Sequence, residues 1–286
     1  MSEHEHLPRL ATIAGRAHVL VGDGAVDVEL RSDGRLPSDP MQVIGCWDEL
    51  RAWTAGNIGE PEPFDAALMG PAVPRPRQAF GIGLNYADHA AETGRALPEV
   101  PLVFAKFPSC IAPPSGQLTL PSANVDWEVE LVVVIGRGGR DIAEASALDH
   151  VAGFCVGQDF SERAVQNAGP VPQFSMGKSY AGFGPIGPAI VDRDAVPAGL
   201  DLAITCEVDG EVVQASRTSK LIFPVPVLVA YLSSICELFP GDVIFTGTPD
   251  GVGVGRTPQR FLQPGNVVVS TIEGVGQLRT ECVAAD

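Results

Sequence analysis

The sequence predicts an α+β protein dominated by strands. Short runs of Val, Ile, Leu and Phe recur along the chain, most of them closed by Gly, Pro or Asp. Glycine (32) and proline (25) are both high for a helical protein of 286 residues. The most convincing helical pattern is "VLVAYLSSICELF", Val227 to Phe239, where apolar residues recur at helical spacing before the Pro240-Gly241 stop.

Residues 1 to about 72 read as a small separate unit. "HVLVGDGAVDVEL" is a hairpin of two short strands around Gly-Asp-Gly, and "CWDELRAWTAG" is a short helix ended by glycine. The proline-rich "MGPAVPRPRQ" (Met69 to Gln78) marks the boundary to a larger unit over 73–286. There "QAFGIGLN" is a strand entering a loop, and "YADHAAETG" a short helix stopped by Gly94. Strands follow at "LVFAKF", "WEVELVVVIG", "VAGFCVGQDF", "AIVD", "LAITCEVDGEVV", "DVIFTG" and "NVVVSTIEGVGQLRTECV".

Composition narrows the function. Hydrophobic residues at 45% and charged residues at 19% fit a folded globule. A net charge of −16 offers no basic stripe for phosphates, which excludes nucleic acid as a partner. It also repels anionic substrates, so an enzyme acting on acids needs a local positive centre. The six cysteines show no metal-type spacing and read as free thiols in a reducing cytoplasm. "MSEHEHLPRL" lacks the apolar centre of a signal peptide, and no apolar run approaches the roughly 20 residues of a membrane span.

Chemistry concentrates in three places. In "VDWEVELVVVIG" (Val125 to Gly136), Asp126, Glu128 and Glu130 fall at every second position, so one continuous strand projects all three from one face. Two carboxylates about 6 Å apart repel by about 3 kcal/mol at an effective dielectric near 20, so the cluster needs a cation or open solvent. The apolar run from Val132 to Ile135 places the acids at the mouth of a core. An all-oxygen set suits Mg²⁺, Mn²⁺ or Ca²⁺. Asp159 is the best further ligand, since it ends an apolar strand, and Asp126 is the weakest of the four. In "NYADHAAE", His89 and Glu92 share a helix face, where the carboxylate can orient the imidazole as a base. In "FTGTPDGVGVGR" (Phe245 to Arg256), alternating glycines can bring backbone N–H groups to a carboxylate, with Thr248 adding a hydroxyl; a plain glycine-rich turn is the alternative. Lys106, Arg163 and Lys178 are cations in apolar or loop stretches.

Taken in order, "GLNYADHAAE", "KFPS", "DWEVELVVVIG", "GQDFSERAVQ", "GKSYAGFGPIGP", "EVDGEVVQASRTSKLIF" and "FPGDVIFTGTPDGVG" resemble the fumarylacetoacetate hydrolase family over about residues 80 to 255. The resemblance implies a mixed β-sandwich roll with a small N-terminal domain, assembled as a homodimer. It implies Mg²⁺ or Mn²⁺, with Ca²⁺ as a crystallographic substitute, held by Glu128, Glu130 and Asp159. His89 and Glu92 become a catalytic dyad on a mobile lid helix, and Lys178 an active-site cation. Asn85, Tyr86, Lys106, Arg163, Gln214 and Thr248 become candidates for substrate binding. The chain departs from the family's pattern at Gln158, Ala164, Ala181 and Lys220, near the loops that shape the substrate site.

The function implied is metal-dependent cleavage of a C–C bond in a 2,4-dioxo acid of the acylpyruvate or fumarylpyruvate type, through an enolate held by the cation. The same site would serve an isomerase or decarboxylase of 2-hydroxy-dienoates or oxaloacetate-type acids in aromatic catabolism, or a lyase on a sugar acid or ureido acid. A binding protein without turnover and a glycosidase using two of the clustered acids are the alternatives from other classes.

Overall fold

A computed structural model describes residues 7–285. Two sheets face each other across the main core. The larger has ten strands, nine of them in the order Gly24–Asp27, Arg16–Val21, Arg9–Ile13, Gly184–Asp192, Val151–Gln158, Val129–Ile135, Val243–Phe245, Ala79–Gly83 and Leu102–Ala105. The smaller runs Glu211–Arg217, Ala203–Val208, Val267–Ile272, Gly276–Ala284, Ser115–Leu120. This is the strand-dominated architecture the sequence predicts.

The central strand Val129–Ile135 explains its own composition. All seven residues are buried. Val129, Leu131, Val133 and Ile135 face the core between the sheets, while Val132 and Val134 face a second core beneath the helices Pro40–Gly45 and Trp47–Thr54. A strand covered on both sides reads as a continuous apolar run rather than an alternation. Glu128 and Glu130 continue the parity of Val132 and Val134, so the acids lie at one end of the helix-covered face.

The N-terminal hairpin turns at Gly22-Asp23, and its first neighbour, Arg9–Ile13, pairs with Gly184–Asp192, so these strands extend the large sheet. Trp47, Leu50, Val43 and Ile44 share a core with Ile186, Ile190 and Phe245.

Three local expectations are corrected. "VDWEVELVVVIG" is two strands, Val125–Asp126 and Val129–Ile135, with Trp127 and Glu128 between them. Val125–Asp126 pairs with Ser161–Glu162 rather than continuing the large sheet, which sends the Asp126 side chain elsewhere. The long helix spans Val225–Ile235, because Cys236 is extended and Leu238 bridges to Gly139. "LAITCEVDGEVV" and "NVVVSTIEGVGQLRTECV" are each a hairpin, the first folding at Asp209-Gly210, both of which have positive φ.

Candidate active site

Strand register brings the acids together. Val129 lies opposite Gln158 and Glu130 opposite Gly157, and the Asp159 N–H donates to the Glu128 carbonyl at 2.9 Å. One carboxylate oxygen from each of Glu128, Glu130 and Asp159 lies within 4.8 Å of the others, and all three residues are buried. Asp126 stands apart, accepting from Arg163 and from the Gly253 and Val254 N–H groups.

Buried cations interleave with these carboxylates. Lys178 Nζ donates to Glu128 at 2.6 Å, Asp159 at 2.7 Å and Ser161 at 2.8 Å. Lys106 Nζ donates to the other Asp159 oxygen at 2.6 Å. The Arg163 guanidinium lies 2.7 Å from Glu128 and 2.8 Å from Asp126. Burial alone would raise the Glu128 carboxyl, but Lys178 and Arg163 outweigh it and hold the group down to about 2. Glu130 has no such partner. Burial first, then the charges of Asp159 and Glu128, push it well above the ordinary value.

Asp126, Glu128, Glu130 and Asp159 against Lys106, Arg163 and Lys178 are four carboxylates and three cations, so with all four ionised one buried negative charge lacks a partner. The oxygen-only donor set and this excess fit a divalent cation, which would turn the cluster net positive. The Tyr86 hydroxyl supports the same fit. It is buried without a protein partner, and the Glu130 charge bears on it.

The dyad stands above this cluster. Leu84, at φ +56°, turns the chain from strand Ala79–Gly83 into the helix Ala87–Glu92. His89 Nδ1 lies 2.8 Å from a Glu92 oxygen, and the other Glu92 oxygen accepts from the Gly251 N–H at 2.9 Å. The carboxylate thus accepts a hydrogen bond from Nδ1–H and leaves Nε2 as the basic nitrogen.

The glycine-rich loop does bring its N–H groups to carboxylates, but those carboxylates are the protein's own. Gly247 donates to Glu130 at 2.7 Å, Gly251 to Glu92, and Gly253 to Asp126 at 2.6 Å. Gly247 and Gly251 have φ of +106° and +98°, and a side chain at Gly251 would collide with the Val213 carbonyl.

A cavity of about 280 Å³ opens over the cluster, and His89, Glu92, Glu128, Arg163, Lys178 and Thr248 all line it. The remaining sequence candidates sit in the frame. Asn85 is wholly buried and bonds Phe223 and Thr246 through its amide, tying the root of the helix to two distant loops. Gln214 accepts from the Val129 N–H and donates to Thr248 and Pro249, so its polar atoms hold strand to loop rather than reach the cavity. The Thr248 hydroxyl donates to the Val129 carbonyl. Lys106 and Tyr86 are buried behind the carboxylates. Sequence reading passed over Arg95, Gln166 and Phe174, which also line the cavity. It also passed over Ser161, and it noted Gln158 only as a departure, although Gln158 caps the Glu128 N–H at 2.8 Å. The one local signal for Arg95 was its place just after the Gly94 helix stop.

Fold and site together define an enzyme whose buried carboxylates are arranged to hold a metal ion beneath a histidine–glutamate pair. The sequence model of the fumarylacetoacetate (FAA) hydrolase C-terminal family matches residues 78–283, and the chain belongs to that family. It is similar to an HpcE-like protein of Mycobacterium smegmatis, with a TM-score of 0.93 and 51% identity over 97% of this chain and 100% of that one. It is 43% identical to the mitochondrial oxaloacetate tautomerase FAHD2A of Bos taurus over 213 residues, which are 74% of this chain and 68% of the relative. The structure of maleylpyruvate hydrolase from Sphingobium sp. SYK-6, in complex with manganese(II) and pyruvate, has a TM-score of 0.80 and 27% identity over 97% of this chain and all of that one. Among the described residues, no helix is long and apolar enough to cross a membrane.

Proposed function

We propose that this protein is a divalent-metal-dependent hydrolase that cleaves the C3–C4 bond of a small 2,4-dioxo acid. The observation that carries this reading is the His89–Glu92 pair, at 2.8 Å, lining the same cavity as Glu128 and Lys178. Binding alone needs no oriented base. Bound at Glu128, Glu130 and Asp159, Mg²⁺ or Mn²⁺ would supply a Lewis acid for the 2-oxo acid end of the substrate.

The chain's own groups do the rest. His89 Nε2 takes a proton from water, and the resulting hydroxide adds to the C4 carbonyl. Glu92 supports the imidazolium, itself held by the Gly251 N–H. The C3–C4 bond then breaks, its electron pair passing to C3 as the enolate of pyruvate, while C4 leaves as a carboxylic acid. The proton on His89 returns to C3 and completes pyruvate. Lys178, held by three partners, keeps Glu128 and Asp159 in place and helps to hold Glu128 ionised.

A second reading is supported by the 43% identity to the tautomerase. On oxaloacetate or a 2-hydroxy-dienoate, the same base would move a proton at C3 and leave the carbon chain intact. Two experiments in one assay separate them: metal-stripped protein, with and without Mg²⁺ or Mn²⁺, offered acetylpyruvate, fumarylpyruvate, oxaloacetate and a 2-hydroxy-dienoate. Metal-dependent pyruvate release from acetylpyruvate or fumarylpyruvate supports the hydrolase; pyruvate from oxaloacetate alone marks a decarboxylase; a change in enol absorbance without pyruvate supports the isomerase; turnover indifferent to metal overturns all three.

We further propose a homodimer working in a reducing cytoplasm, in keeping with six cysteines that form no disulfide. Residues 1–72 are proposed as an accessory unit, since the family match begins at residue 78.

A further inference from the structure

We infer that Arg95 is the recognition residue for a second anionic group on the substrate, so that the preferred substrate is a 2-oxo diacid rather than a 2-oxo monoacid. This rests on the 2-oxo acid reading above and names its substrate class.

Four observations converge on it. Arg95 lines the same cavity as His89, Glu128 and Lys178. Its place is set by the end of the dyad's own helix: Gly94, at φ +66°, donates to Ala91, and the Arg95 N–H donates to Ala90 at 2.9 Å. These paired bonds close the helix and fix where its next residue emerges. The backbone of Arg95 is therefore anchored to the helix Ala87–Glu92 that carries the base. The guanidinium carbon lies 5.8 Å from the Phe174 ring centroid, so an aromatic face supports the cation. Among the described residues no carboxylate lies within 4.0 Å of it, unlike Arg163, which is paired on both sides.

Gln166 completes the subsite. It is 5% exposed, lines the same cavity, and accepts from Arg163 at 2.9 Å through Oε1. That bond orients the amide and leaves Nε2 as the group free to donate. A guanidinium and an amide N–H2 form a donor pair suited to a carboxylate. The substrate's 2-oxo acid end would lie at Glu128, Glu130 and Asp159, and its distal carboxylate at Arg95. In a protein of net charge −16, this is how a doubly charged acid is admitted at one mouth.

The test is direct binding to Mn²⁺-loaded protein by calorimetry, which does not depend on turnover. The probes are 2-oxoglutarate and 2-oxopentanoate, which differ only in a carboxylate in place of a methyl. The wild type should bind 2-oxoglutarate on the order of tenfold more tightly, less so at high salt. Arg95→Gln should abolish the preference while leaving 2-oxopentanoate binding unchanged, and Arg95→Lys should retain part of it. Equal binding of both probes by the wild type, or a preference that survives Arg95→Gln, would overturn the inference and leave the function standing. If neither probe binds, the 2-oxo acid reading fails, and this inference falls with it.

Discussion

The carboxylate cluster and the helix that carries the dyad are built in opposite ways. Glu128, Glu130 and Asp159 are buried and held from distant parts of the chain, Glu128 and Asp159 by several partners and Glu130 by the Gly247 N–H. The dyad rests on six residues of helix, tied at the root by Asn85 and at the tip by one bond from the Gly251 N–H to Glu92. A metal site needs preorganised like charges whose repulsion is absorbed by fixed neighbours. A base that must let substrate in beneath it needs few ties. Rigid electrostatics and a lightly held base are separate parts of one machine, and substitutions should separate them.

The largest effect is expected at Asp159. Asp159→Asn leaves Lys106 and Lys178 without their shared carboxylate, so Mn²⁺ binding and turnover should both disappear. The metal-free fold should also lose about 3–5 kcal/mol, the usual consequence of breaking a buried ion pair, read by urea denaturation. His89→Ala comes next, lowering kcat by about 10²–10⁴-fold while Mn²⁺ affinity in a calorimeter stays as in the wild type. Loss of metal binding in that variant would erase the separation of the two regions.

Gln214→Ala tests whether that residue belongs to the frame. It strips partners from the buried Val129 N–H and from Thr248, at a cost of about 1–3 kcal/mol in thermal or urea unfolding, with KM nearly unchanged. A raised KM at full stability would return Gln214 to the substrate pocket.

The smallest effect is in the pH dependence of the metal-free protein. Glu130, raised by burial and then by Asp159 and Glu128, keeps a proton in the fold that the unfolded chain releases above 4.5. Stability should therefore fall as pH rises past that value, and added Mn²⁺ should reverse the fall. Glu128 acts the other way. Its contribution is present above 4.5 and is lost as pH falls toward about 2. A stability profile that rises steadily through neutral pH without metal would contradict the picture of an uncompensated Glu130.

Much of this was legible in the residues. The every-second acids pointed to a shared face, the three-residue spacing of His89 and Glu92 to a pair, and the doubly apolar run Val132–Ile135 to burial. What the residues left open shares a cause. Asn85, Gln214 and the glycine-rich loop look like ligand-binding groups because buried structural amides and N–H groups have the same chemistry as binding ones. Only their partners tell them apart, and those partners are from 34 to 161 positions away in the chain. Asp126 was misplaced because the strand breaks at Trp127, which alternation within the segment does not reveal.

By itself the sequence determined what depends on neighbours a few residues apart: the strand-rich class, the side of a strand an acid takes, the spacing of a base and its carboxylate. Backbone geometry sets those relations wherever the segment lies. Only the tertiary structure decided that Asp159 meets Glu128, that Lys106 and Lys178 lie among the acids, and that Arg95 faces the cavity. Those meetings depend on strand register and on helix and loop placement, which the whole core selects at once.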